Sequence, residues 1–188
     1  MYTRKLSMFL LFLFYCCNKL VAQEPAGFFI KSDSSKVYIY DKVIETDGEL
    51  LYYYDENHKR RQIPEKRISR LETGDTKMIN LPYFRGGGWT RLHRILAYND
   101  SCILTSYYLK GVYYAFIFNN KHEMQEDRIA YLRDGDVYKP ERRDELIEVV
   151  RKYFPDCTRL LNKVTSAFKD PLLRYTDILN NINNVTCK

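Results

Sequence analysis

Five carboxylates gather in one short stretch, at Glu123, Glu126, Asp127, Asp134 and Asp136. Hydrolysis of a glycosidic bond needs two acids at a defined separation in unlike environments, and this stretch supplies such acids without a recognisable frame around them. The enzymatic reading of the chain is therefore a small glycan- or peptidoglycan-directed hydrolase. Asp134-Gly135-Asp136 matches only a fragment of a calcium loop, far short of the twelve-residue pattern, and reads as a turn leading into a helix. No Gly-x-Ser-x-Gly occurs, and Cys157 has no histidine beside it in sequence to activate it. His58, His93 and His122 are scattered and there is no Cys-x-x-Cys, so no metal centre is expected. No catalytic residue, cofactor site or metal ligand is assigned.

Three further groups of residues have the chemistry of binding. Arg85-Gly86-Gly87-Gly88-Trp89 is a glycine-rich loop of the kind whose bare amides can cradle phosphate. It lacks the Lys-Ser/Thr ending and the dinucleotide spacing, so it reads as a connector or bulge with Arg85, Arg91, His93 and Arg94 nearby. The stretch from His58 to Arg70 holds Lys59, Arg60, Arg61, Lys66, Arg67 and Arg70 with Glu65 as its one acid. Alternation on a strand sends Arg60 away from Lys59 and Arg61, and such charge also protects an edge strand from unwanted pairing. An anion-binding module built from Arg60, Arg61, Arg85 and Arg91 is the functional version. Tyr52-Tyr53-Tyr54, Tyr107-Tyr108 and Tyr113-Tyr114 offer rings for stacking sugars, while cross-strand aromatic pairs would stabilise a sheet with no ligand.

The compartment is written in the first 22 residues. Arg4 and Lys5 precede the apolar run Leu6 to Cys17, and Leu20-Val21-Ala22 suits cleavage between Ala22 and Gln23, which is the layout of a secretory signal peptide. Asn18 and Lys19 end the run well before the ~20 apolar residues a membrane span needs, so no transmembrane span is expected after signal removal. The cations Arg4, Lys5 and Lys19, in a segment with no acid, bring the formal charge from +6 to +3 on cleavage. That mild excess gives no reason to expect nucleic acid, which calls for a concentrated basic face. Cleavage also removes Cys16 and Cys17 and leaves Cys102, Cys157 and Cys187, an odd number for an oxidising compartment. Cys157 and Cys187 are placed to staple the C-terminal helices together, and Cys102 reads as a buried strand residue.

The elements that must position these groups follow from composition and period. With 45% hydrophobic and 29% charged residues the chain can build a core, and 17 Tyr and 10 Phe against one Trp favour strands. Strand-like runs cover Lys36 to Tyr40, Lys42 to Glu45, Glu49 to Tyr54, Lys59 to Ile63, Ile68 to Glu72, Cys102 to Tyr108, Val112 to Phe118 and Ile129 to Leu132. Asp47-Gly48 and Leu109-Lys110-Gly111 read as hairpin turns between them. Gly88 to Tyr98 fits a short helix or a strand. After Pro140 the period becomes helical. Leu146, Val149, Val150 and Tyr153 line a first helix, Leu160, Leu161, Val164 and Phe168 a second opened by Asp156, and Leu172, Tyr175, Ile178, Leu179 and Ile182 a third opened by Asp170-Pro171. The expected fold is a single α+β domain over 23–188, mostly β over 23–138 and mostly helical over 139–188. A Tyr-rich antiparallel meander would be covered by about three amphipathic helices.

Taken in order, Val21-Ala22-Gln23, the Tyr-rich meander, Arg94-Ile95-Leu96-Ala97-Tyr98 with Ile103-Leu104-Thr105, and Arg151-Lys152-Tyr153-Phe154-Pro155-Asp156-Cys157 resemble small exported proteins of unknown function from Bacteroidota-type envelopes. The resemblance implies the periplasm or cell exterior and carries over no activity and no site residue. With no catalytic frame in view, the expected role is a non-catalytic envelope or interaction protein. Its partner would be an envelope component, whether protein, glycan or lipid.

Overall fold

The computed structural model describes residues 23–41, 45–85, 88–109, 112–127, 129, 131–133, 140–167 and 181–187. The signal segment with Ala22, the Lys110-Gly111 turn, and Asp134 and Asp136 fall outside them, as does most of the expected third helix.

Runs rich in aromatic and β-branched residues between Gly27 and Arg133 favour strands. In order they are β1 (Gly27–Lys31), β2 (Lys36–Ile39), β3 (Glu45–Thr46), β4 (Leu50–Tyr54), β5 (Arg60–Pro64), β6 (Ile68–Thr73), β7 (Thr76–Pro82), β8 (Thr90–Tyr98), β9 (Cys102–Leu109), β10 (Val112–Asn119), β11 (Met124–Glu126), β12 (Tyr131–Arg133) and β13 (Val185–Thr186). The helices are α1 (Pro140–Tyr153) and α2 (Thr158–Ala167). The large sheet runs β11-β10-β9-β8-β7-β6-β1-β2, with β12 also on β10 and β13 on β8. Its ladders are antiparallel except that between β13 and β8. A small antiparallel sheet, β3-β4-β5, stands apart from it.

This corrects the expected fold class. The sheet dominates, at 48% strand, and the described residues hold two α-helices where about three were expected. Gly88 to Tyr98 supplies β8, because Thr90 to Arg94 pair with β7 and Arg94 to Tyr98 pair with β9, ladders that hold the backbone extended. Of the third helix expected up to Ile182, only the end lies among the described residues. Asn181 and Ile182 are helical, but the chain then becomes extended, and β13 lies parallel to the last residues of β8. There Cys187 N–H donates to the Tyr98 carbonyl at 2.8 Å, so backbone pairing takes over from helix.

The helices cover an aliphatic layer of the sheet. Leu96, Ala97, Cys102, Leu104, Ala115 and Ile117 meet Leu146, Val150, Phe154, Leu160 and Val164, each large side chain contributing about 1.5–3 kcal/mol by burial. A bulge between Ile95 and Ala97 lets Leu96 and Ala97 both join this layer. The rings of Tyr83, Tyr107, Phe116 and Phe118 gather with Leu81 in a separate cluster. Phe29, Ile39, Leu51, Ile63, Ile68, Leu71 and Leu92 form a third, which joins the small sheet to the β1–β2–β6 end of the large one. Cys157 and Cys187 form a disulfide with Cα atoms 5.3 Å apart, tying the start of α2 to the end of β13.

Candidate ligand-binding cleft

Strands β8 and β9 part company halfway along. Their ladder runs from Tyr98↔Ile103 to Arg94↔Ser106 and stops there. Beyond it Tyr107 pairs with Tyr114 of β10, and Thr90 to Arg94 pair with β7. The backbone edge of β8 that this fork exposes needs a partner, since a buried unpaired amide is costly. Glu65 provides it. Its carboxylate accepts the Leu92 N–H at 3.2 Å through Oε2 and the Thr46 hydroxyl through Oε1.

Local structure delivers Glu65 to this point. The β4–β5 ladder ends at Leu50↔Pro64, and Glu65 N–H continues it by donating to the Glu49 carbonyl at 2.9 Å. Glu65 then opens a single 3₁₀ turn, Glu65–Arg67. The Asn80 amide of β7 clamps that turn by donating to the Glu65 and Ile68 carbonyls at 2.8 and 2.7 Å. The β3–β4 hairpin is held from the same centre. Thr46 Oγ1 accepts the Gly48 N–H, and Tyr107 donates its hydroxyl to the Gly48 carbonyl at 3.1 Å. Gly48 sits at φ 88, in the left-handed region that glycine enters without steric cost.

Burial governs the electrostatics of this centre. Glu65 is 1% exposed, and desolvation pushes its carboxyl up; the hydrogen bonds from Thr46 and Leu92 and the charge of Arg91 oppose that shift. Burial also raises the Tyr107 phenol, helped by the Glu65 charge. His93 is fully buried and neutral, its pKa lowered to about 3 by desolvation. Its Nδ1 lies 3.1 Å from Thr105 Oγ1, Nε2 has no partner among the described residues, and the Phe116 ring sits 4.9 Å away edge-on.

At the mouth of the fork lies an open cavity of about 490 Å³, lined by Glu49, Leu50, Pro64, Lys66, Gly88, Trp89, Thr90 and Arg91. Trp89 is the chain's single tryptophan and is 67% exposed. The Arg91 guanidinium lies 5.7 Å from its ring centroid, within reach of a cation–π contact. Both Glu65 oxygens are already engaged behind this wall. Thr90 supplies the one hydroxyl of the lining, beside the Lys66 and Arg91 cations and the Glu49 carboxylate. Among the described residues no three His, Cys, Asp or Glu side chains could hold a metal.

Of the four arginines of the expected anion-binding module, one reaches this cavity. Arg91 lines the cavity. Arg60 lies over the Tyr52 ring at 4.5 Å, Arg61 pairs with Asp55 at 2.8 Å, and Arg85 donates to the Gln125 carbonyl at 2.8 Å. Glu126 accepts from Lys152 and Tyr153, each at 2.7 Å, and these bonds hold its carboxyl below the usual range. Glu123 accepts from Asn119 Nδ2 at 2.7 Å. His58 and His122 occupy left-handed turn positions, at φ 55 and 62. Cys157 and Cys187 are bonded to each other, and Cys102 is a buried free thiol under the helices. The burial of Cys102 agrees with its reading as a strand residue of the core. Gln23 begins the described chain as exposed coil. Sequence reasoning passed over Glu65, Lys66 and Trp89 as site residues, although a lone acid inside a basic run and a lone tryptophan were both visible signals. No helix among the described residues is long and apolar enough to cross a membrane. Comparison of the chain with family models, with curated proteins and with solved structures found no match.

Proposed function

We propose that this chain is an exported, non-catalytic interaction protein of the cell envelope, and that it engages an envelope component through the Trp89 cleft. The observation that carries the reading is an indole 67% exposed at a cavity whose lining combines the apolar Leu50 and Pro64 with two cations and a carboxylate. Clefts of roughly 300–1,000 Å³ with a few placed polar groups are the usual form of a ligand site. Export is supported by the Arg4-Lys5 start and the Leu6 to Cys17 run. The Cys157–Cys187 disulfide agrees with it, because such bonds persist in oxidising compartments.

The hydrolase reading is weaker on the same structure, because Glu126 is committed to Lys152 and Tyr153 and neither Glu123 nor Glu126 lines the cavity. The four-arginine module is weaker still, with Arg60, Arg61 and Arg85 each engaged away from it.

One tryptophan means that intrinsic fluorescence reports on the cleft alone. Titration with neutral and acidic oligosaccharides, anionic vesicles and short acidic peptides should give a saturable change with at least one class, absent by calorimetry in Trp89→Ala. No response to any class would overturn the binding reading. An intact mass from the native host beginning at Gln23, with one alkylatable thiol, is the outcome that export and a single bridge require.

A further inference from the structure

We infer that the cleft takes an acidic saccharide, with a sugar ring laid on Trp89 and its carboxylate held between Lys66 and Arg91. The inference rests on the binding reading above and names its ligand class. The exposed indole offers a flat apolar face, and the C–H face of a sugar ring is its natural complement. Arg91 is already beside that ring, with its guanidinium 5.7 Å from the centroid. Lys66 follows Glu65 in the clamped 3₁₀ turn, so its backbone is fixed, and its ammonium makes no ion pair among the described residues. A planar guanidinium and a point ammonium on one cavity wall suit a carboxylate.

Glu49 narrows the choice. It lines the same cavity, so the lining carries two cations against one carboxylate, a surplus of a single positive charge. A ligand with dense negative charge would meet repulsion from Glu49. A saccharide with its carboxylates spaced one to a sugar ring can seat one of them between the cations and turn its hydroxyls to Glu49, which accepts hydrogen bonds from them, and the Thr90 hydroxyl offers another partner. The cavity, at about 490 Å³, has room for a short saccharide. Uronic-acid oligomers satisfy each requirement.

The test titrates the purified chain with trigalacturonate, its fully methyl-esterified counterpart, phosphatidylglycerol vesicles and tetraglutamate, read by tryptophan fluorescence and by calorimetry. The acid trimer should bind saturably, about tenfold more tightly than the ester and more weakly at high salt. Lys66→Ala should lower affinity at least fivefold. Trp89→Ala should abolish the calorimetric signal while circular dichroism stays unchanged, with Trp89→Phe partly restoring binding. Equal binding of acid and ester, an unaltered Lys66→Ala, or silence toward trigalacturonate overturns the inference. A Trp89-dependent response to vesicles or tetraglutamate alone overturns it while leaving the cleft a binding site, whereas silence toward all four probes removes both.

Discussion

The two halves of β8 meet opposite fates within nine residues. From Arg94 to Tyr98 the strand is paired with β9 on one edge, β13 joins it at Ala97 and Tyr98, and two helices lie over it. From Thr90 to His93 it is paired with β7, and its other edge is met by a glutamate. The first half is closed by backbone, the second by side chains. A strand edge completed by another strand leaves no space, whereas one completed by a single carboxylate leaves a gap beside it. The cleft with Trp89 on its rim occupies that gap. Closed and open edges are thus divided along one strand.

The largest effect should come from unfastening the closed half. Cys157→Ser with Cys187→Ser releases a loop of sequence separation 30, and the loss should be about 3–4 kcal/mol in the chain-entropy model. Guanidinium unfolding of the variant measures it, and an unchanged midpoint would mean that β13 and the helices need no tether.

Next in size is removal of the side chain that closes the open half. Glu65→Ala strands the Leu92 N–H and the Thr46 hydroxyl without their acceptor and should cost about 2–3 kcal/mol. Faster amide exchange should appear at Leu92 before it reaches Leu104. Glu65→Gln separates charge from shape. The folded chain holds the Glu65 proton to higher pH than the unfolded chain, whose reference value is 4.5. Stability from this group therefore falls as pH rises from there through the raised folded value. The gap between wild type and Glu65→Gln should shift against wild type over that interval.

His93 has the opposite sign. Its folded pKa of about 3 lies below the unfolded 6.5. The unfolded chain takes the proton first, and stability present above pH 6.5 is lost as pH falls, at up to about 1.4 kcal/mol per pH unit. His93→Leu should flatten that slope in urea midpoints taken between pH 7.5 and 5. Equal slopes would show that the acid sensitivity arises elsewhere. Smallest in stability is Trp89→Ala, expected within about 0.5 kcal/mol of wild type because the indole is exposed; a larger loss would mean that it packs structurally.

Much of the strand content was legible locally. The runs at Lys36, Glu49, Lys59, Ile68, Cys102 and Val112 became β2, β4, β5, β6, β9 and β10, and Asp47-Gly48 became a hairpin turn, since alternation and turn chemistry are properties of neighbours. β1 and β7 were passed over because Gly27–Lys31 and Thr76–Pro82 show weak alternation and take their strand form from partners on both sides. Gly27 illustrates this, because a Cβ there would sit 2.3 Å from the Glu72 carbonyl oxygen. The reason for glycine is a neighbour 45 residues away in sequence.

By itself the sequence determined the strand-rich first part, two of the three helices expected after Pro140, and the pairing candidates Cys157 and Cys187. Each of these is carried by composition or by spacing within one segment. Tertiary structure alone decided that helices cover the aliphatic face and leave the rings to the other, that Val185–Thr186 pair with β8, and that β8 and β9 diverge. It also decided that Glu65, in a run read as surface charge, is buried while Trp89 is exposed. Such outcomes depend on which residues a twisted sheet brings together across long sequence separations. Burial and hydrogen bonding act on that arrangement in space, and local patterning does not encode it.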